Sequence, residues 1–171
     1  MTKSPLRVIC DAGPIIHLDE LDWLDLLNDF KEIILPATVT IEIKRNRKFT
    51  LENIGRKFVE LPGKKPGNEQ LLTMCQVFSL DIGEIEALAI LEKYPDAVFL
   101  TDDAAARLVS ERMGFKVHGT IGLLVRSIRR GQRKPHDVLK ILSDIPNKSS
   151  LYLKMSLLED VKMRIRKEFG L

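Results

Sequence analysis

The chain has 171 residues, the size of one ordinary domain, and 44% of them are apolar, enough to build a core. Its formal net charge is +3, from 27 Lys and Arg against 24 Asp and Glu, so overall charge does not name a partner. No apolar run approaches about 18 residues, no segment has the form of a signal peptide, and Cys10 and Cys75 sit in apolar surroundings without CxxC spacing. These features exclude a membrane-spanning helix and predict a cytoplasmic protein with buried thiols.

In chain order, the patterning predicts a strand at 6–10, a helix at 19–30, a strand at 32–35, a helix at 37–46, a polar stretch and a short strand at 57–61. PGKKPGN follows as an exposed loop. Helices near 68–79 and 82–94 lead to a strand at 97–101, a helix at 103–113 closed by Gly114, a strand at 115–118 and a helix at 120–130. From Pro135 onward the pattern is helical only, through HDVLKILSDI and the tail SLLEDVKMRIRKEF, whose apolar Leu157, Leu158, Val161, Met163 and Ile165 are expected to pack on the domain. Alternating strands and helices imply an α/β fold with a mainly parallel central sheet. With no repeats or low-complexity tracts, residues 1–171 read as a single domain, its core at about 5–134 and a helical C-terminal extension at about 135–171.

Five acids interrupt this apolar pattern. Asp11 follows the strand-like run LRVIC, and Asp102 and Asp103 follow AVFLT, so two strands end in carboxylates. In open α/β sheets the carboxyl ends of strands are where ligands bind. Glu42 stands beside the stripe formed by Val39 and Ile43, and Glu84 stands in line with Ala87, Leu88 and Leu91, where a carboxylate needs a partner. Clustered carboxylates repel one another, raise one another's pKa and commonly signal a bound cation.

Each acid also has a plain explanation. Asp11 caps a helix or forms a turn with Gly13 and Pro14; Asp102 or Asp103 is the N-cap of the helix starting near Ala104; Glu42 is a solvated charge close to Lys44 and Arg45. Asp81 to Glu84 has the spacing of a capping box, and Glu86, followed by Ala89 and Ile90, is an alternative inward acid ranked below Glu84. The joint pattern favours a site.

DAGPIIHL at the first strand, LPATVTIEI on the second helix, LDIGEIEALAIL before the middle strand and LTDDAAARLVSERMGFKVHGTIGLL after it together resemble a PIN domain. More narrowly they are similar to the VapC-like branch of small prokaryotic PIN proteins whose third acid lies in a GE motif. The resemblance covers nearly the whole chain. It implies a three-layer α/β/α fold and a divalent-metal endoribonuclease acting on single-stranded RNA, of the kind found as the toxin of a toxin-antitoxin pair, with an antitoxin protein and a homodimer as expected partners. By position it implies Asp11, Glu42, Glu84 and Asp103 as the catalytic acids, with Asp102 as a near neighbour in the metal site. Ala12 departs from the Ser or Thr that many relatives carry, while Thr101 offers a hydroxyl close by. Arg107, about one helical turn past the acids, is similar to an Arg often found in this branch, and is expected to pair with Asp103 or touch phosphate.

Hard oxygen ligands without a Cys or His cluster suit Mg²⁺ or Mn²⁺ better than zinc. Such an ion can polarise a phosphoryl oxygen and generate hydroxide, so no protein nucleophile is required. His17, His118 and His136 are scattered and receive no catalytic role. Positive charge is uneven: residues 104–148 carry ten Lys or Arg against Glu111, Asp137 and Asp144. Its densest part places Arg126, Arg129, Arg130, Arg133 and Lys134 at one helix end, and KRNRK, with Lys44 and Arg45, ends the helix that carries Glu42. Both runs are candidate holders of an RNA backbone. No base-reading module is visible, aromatics being 6%. A PIN fold that binds nucleic acid or protein without cutting is the alternative, favoured by Ala12. A phosphatase of the haloacid-dehalogenase type would need an Asp where Gly13 stands.

Overall fold

The structure, a computed structural model, describes residues 7–54 and 58–171. Five strands form one sheet in the order β3-β2-β1-β4-β5, every pairing parallel: β1 (Arg7–Cys10), β2 (Glu32–Pro36), β3 (Phe58–Leu61), β4 (Val98–Leu100) and β5 (Lys116–His118). The three inner strands, RVIC, EIILP and VFL, are nearly continuous apolar runs because helices cover both of their faces; the outer strands carry Glu60 and Lys116.

One face packs against α1 (Ala12–Glu20), α2 (Ala37–Asn46), α3 (Thr50–Ile54), α7 (Thr120–Arg129), α8 (Pro135–Lys148) and α9 (Met155–Phe169), through a core that includes Val8, Ile33, Val98, Ile15, Leu124 and Leu142. The other face packs against α4 (Glu69–Val77), α5 (Ile82–Lys93) and α6 (Ala104–Arg112), through Ile9, Ile34, Phe99, Leu71, Leu88 and Val109. The result is the three-layer α/β/α arrangement. Cys10 pairs in register with Leu100, so the chain leaves β1 and β4 side by side, towards α1 on one face and α6 on the other. That divergence is the switch point at which open α/β sheets form a crevice.

The helix expected at 19–30 is instead α1, starting at Ala12, followed by a 3₁₀ helix over Leu24–Asp29. Gly13 and Pro14 do not break the chain after β1. Pro14 falls in the first turn of α1, where the backbone needs no donor, and Asp11 caps that turn by accepting from the Ala12 N–H at 2.8 Å. Asp22, at φ 59°, then closes α1. The polar stretch after α2 folds into the short α3. The expected strand starts at 6 and 57, and the core bound near 5, lie outside the described residues. The tail packs on the domain: α9 lies against α8, and Leu158 and Ile165 are buried in the first core, whereas Leu157 and Met163 face outward.

Candidate functional site

Three helices begin at the carboxyl ends of the central strands, each with an Asp as N-cap. Asp11 caps α1, Asp81 caps α5 by accepting from Glu84 N–H at 2.9 Å, and Asp103 caps α6 by accepting from Ala106 N–H at 2.8 Å. Glu84 completes the capping box, one of its oxygens accepting from Asp81 N–H at 2.9 Å. The capping and the functional explanations are therefore compatible, since each cap commits one carboxylate oxygen. Helix N-termini carry partial positive charge, so three of them pointed at one crevice offset part of the cost of gathering acids there.

Thr101 ties two of these segments together. Fully buried at the end of β4, it donates its hydroxyl to Asp11 Oδ2 at 3.2 Å and accepts from the Asp103 N–H at 3.2 Å. This hydroxyl serves where the buried Ala12 has none to offer.

Electrostatics identify which acids share the crevice. Burial pushes Asp11 up to about 7, with the Ala12 and Thr101 hydrogen bonds opposing and the charges of Asp81 and Glu42 adding to the rise. Burial likewise pushes Glu84 up to about 8, against its hydrogen bond from Asp81 N–H and reinforced by the charges of Asp81, Asp103 and Asp11. Glu42, on the exposed rim of α2, is raised by partial desolvation and by Asp81, with Arg45 opposing. Asp11, Glu42, Asp81, Glu84 and Asp103 thus form one mutually repelling set. Asp81 was legible only as a cap; the signal that could have found it is that α5 begins beside the acid it presents.

Two acids go elsewhere. Asp102, expected in the metal site, is committed away from it: Oδ1 accepts from Thr120 N–H at 2.7 Å, and Oδ2 meets the Thr120 hydroxyl and His17 Nδ1, the latter at 2.8 Å. Burial works to raise its carboxyl, but the bonds from His17 and Thr120 prevail and hold it low. Glu86 packs against Gly63 and reaches the Thr38 N–H at 3.4 Å, so Glu84 is the acid that joins Asp11.

Among the described residues, no three acidic, His or Cys side chains stand as a ready-made cage for a metal ion. The chemistry of the donors still fits a hard divalent cation: all are carboxylates, and Asp11 and Glu84 are raised first by burial and then by neighbouring carboxylates, a cost of holding charge there that a cation would offset. The acids that could hold it are Asp11, Glu84 and Asp103, with Glu42 and Asp81 at the rim.

The arginines expected to hold RNA lie mostly away from the acids and are engaged in ion pairs. Arg126 and Arg130 pair with Asp29 at 2.6 and 3.0 Å, Arg129 grips Glu168 through two 2.9 Å bonds, and Arg133 pairs with Asp25 while lying over Trp23. Arg126, Arg129 and Arg130 share a groove with Arg7, Val98 and Lys116, the first residues of β1, β4 and β5, and so lie toward the opposite end of the sheet from the acids. Lys134, at the start of α8, borders a separate shallow depression with Arg133. Lys44 and Arg45 remain exposed beside Glu42. Arg107 makes no ion pair among the described residues and lies against Gly119, not on Asp103.

Gly83 sets how closely α5 approaches. A Cβ there would stand 3.0 Å from Val39 Cγ2 and 3.4 Å from Asp81 Oδ1. Gly83→Ala is expected to push α5 off α2, costing about 1–2 kcal/mol in urea unfolding despite alanine's better helix propensity. A more stable variant would show that this contact does not limit the approach.

Among the described residues, no helix is long and apolar enough to cross a membrane. No curated protein matches the chain. The model of the DUF3368 family, described as a PIN domain, matches residues 7–167. PIN domains are generally nucleases and typically use divalent metals, and the acids gathered where β1 and β4 end provide the ligand chemistry such an enzyme requires. The chain belongs to the PIN domain family.

Proposed function

We propose that the protein is an Mg²⁺- or Mn²⁺-dependent endoribonuclease cutting single-stranded RNA. The observation that carries this reading is the convergence of Asp11, Glu84 and Asp103 at the β1/β4 switch point, where burial and mutual repulsion raise Asp11 and Glu84 well above ordinary carboxylates. Those three would hold the ion, with Glu42 and Asp81 completing the negative rim. A divalent ion bound there would polarise the scissile phosphate and lower the pKa of an attacking water.

The chain's own groups do the rest. Thr101 fixes the Asp11 carboxylate and the Asp103 backbone in one geometry. The N-termini of α1, α5 and α6 stabilise the carboxylates in their charged form. Arg45 on one side and Arg107 on the other offer guanidinium groups to flanking phosphates. We extend the reading, from the likeness to VapC-type PIN proteins, to a cytoplasmic toxin that acts as a homodimer and is restrained by an antitoxin protein.

Ala12 and the open arrangement of the acids favour a second reading, a PIN fold that binds without cutting. One experiment separates the two. Purified protein is incubated with a mixed single-stranded RNA pool in Mg²⁺, Mn²⁺ or EDTA, alongside thermal unfolding with and without Mn²⁺. Cutting in either metal and none in EDTA is expected, with a rise of about 5–10 °C in Tm at a Mn²⁺ concentration of about 100 times Kd. Absence of both cutting and stabilisation would leave the binder.

A further inference from the structure

A deep concavity among the described residues lies apart from the acids. It is a groove of about 1510 Å³ between the outer edge of the sheet at β5, the side of α7, and α9. Its apolar lining is supplied by Val98, Ile121, Val125, Val161 and Ile165. Its charged lining is mostly basic, with Lys93, Lys116, Arg126, Arg129 and Arg164 prominent, against Asp96 and Glu168. Arg129 and Glu168 bind each other across the gap between α7 and α9 and so fix one wall. Lys93 and Lys116 line the groove, are exposed, and make no ion pair among the described residues.

One end of the groove extends toward the acids. It reaches His118, the last residue of β5. The next residue, Gly119, is where Arg107 lies: a Cβ there would come within 2.9 Å of Arg107 Nη1 and 2.6 Å of Asp102 Oδ1. Arg107 in turn stands on α6 one turn past Asp103, the N-cap at the site. Arg107 and Lys116, with His118 between them, therefore mark a cationic line from the acids to the groove.

We propose that this groove is the track for the flank of a single-stranded RNA substrate, its phosphates following Arg107, Lys116 and Lys93 and its bases resting on the apolar floor. This rests on the ribonuclease reading. Single-strand tracks combine a positive groove with surfaces on which bases lie, and here the first element dominates. An acidic peptide added to the free edge of β5 is the competing occupant. A strand of three residues offers it few backbone partners, and such a peptide would not account for the cationic line to the acids.

The test uses the double variant Lys93→Glu/Lys116→Glu, with Lys93→Gln/Lys116→Gln as the milder version, both outside the proposed catalytic set. Binding of a labelled 20-nucleotide RNA in EDTA is measured across salt concentrations. Metal-dependent cleavage of a four-nucleotide RNA, too short to occupy both site and groove, is measured in Mn²⁺.

The expected result is an affinity about tenfold or more weaker at low salt and a salt slope lower by about 1.4, about 0.7 for each phosphate that the lysines no longer neutralise. Cleavage of the short RNA should stay at the wild-type rate. Unchanged affinity and slope in both variants would overturn the track while leaving the nuclease intact. Binding of the long RNA through these lysines, with no cutting in any metal, would overturn the nuclease and keep the groove as a binding surface. Wild-type protein that ignores RNA but captures polyglutamate through the same lysines would overturn the track in favour of an acidic protein segment.

Discussion

Asp11→Asn is expected to reduce metal-dependent RNA cleavage by a factor on the order of 10² to 10³ or more while making the metal-free protein more stable at pH 8. The two effects have one cause. Asn keeps the N-cap of α1, because its side-chain oxygen can still accept from Ala12 N–H, but it removes a buried negative charge from among Asp81, Glu42 and Glu84.

The folded protein raises Asp11 to about 7, above its unfolded value, so folding favours the protonated form. The resulting penalty is nearly absent below pH 4, grows as pH rises towards 7, and levels off above it, where it is about 4 kcal/mol. The variant should therefore gain stability in EDTA, with a gain that grows from pH 5 to pH 8, read by urea unfolding at both. Glu84→Gln should behave with the same sign, its carboxyl rising to about 8. Mn²⁺ should stabilise the wild type more than either variant. A variant that loses stability and activity together would indicate a merely structural Asp11.

The adjacent acids Asp102 and Asp103 should part company. Asp103 is exposed and commits one oxygen to its cap, which Asn can replace, so Asp103→Asn is expected to leave unfolding within about 0.5 kcal/mol of wild type while removing cleavage and most of the Mn²⁺-induced shift in Tm. Asp102 receives two donors from Thr120 and one interaction from His17, all largely out of solvent. Asp102→Asn leaves part of that set unmatched and is expected to cost about 2–3 kcal/mol, a fall of about 5–10 °C in Tm, with the Mn²⁺ shift retained. Thermal unfolding of both variants with and without Mn²⁺ decides it, and the reverse pattern would return Asp102 to the metal site.

Much of the fold could be read from residue patterns because its causes are local. Apart from the opening Arg7 and Glu32, RVIC, EIILP and VFL are apolar, which reads as strands buried on both faces with Asp11 and Thr101–Asp103 at the exits of two of them. The Asp81–Glu84 box starts α5 wherever that helix lies. The same locality misled over the helix start, expected at 19 and found at Ala12, where Asp11 supplies the cap and Pro14 is an acceptable first-turn residue.

What the chain's order could not reveal was direction. Asp102 and Asp103 are neighbours in sequence, yet one backbone step sends Asp102 towards α1 and α7 and leaves Asp103 at the start of α6, a choice made by Thr120 and His17 from distant segments. Asp81 joins the acids only because α5 is laid against α2 and β1 across Gly83.

The arginines of α7 show the same principle over a longer distance. That helix starts at the end of β5 near the acids and runs back along the sheet for ten residues, about 15 Å. Its basic end is thereby carried to Asp29, Glu168 and the groove. A helix's length and the parallel sheet's polarity fix where its ends fall, and only the folded arrangement brings those ends to particular partners.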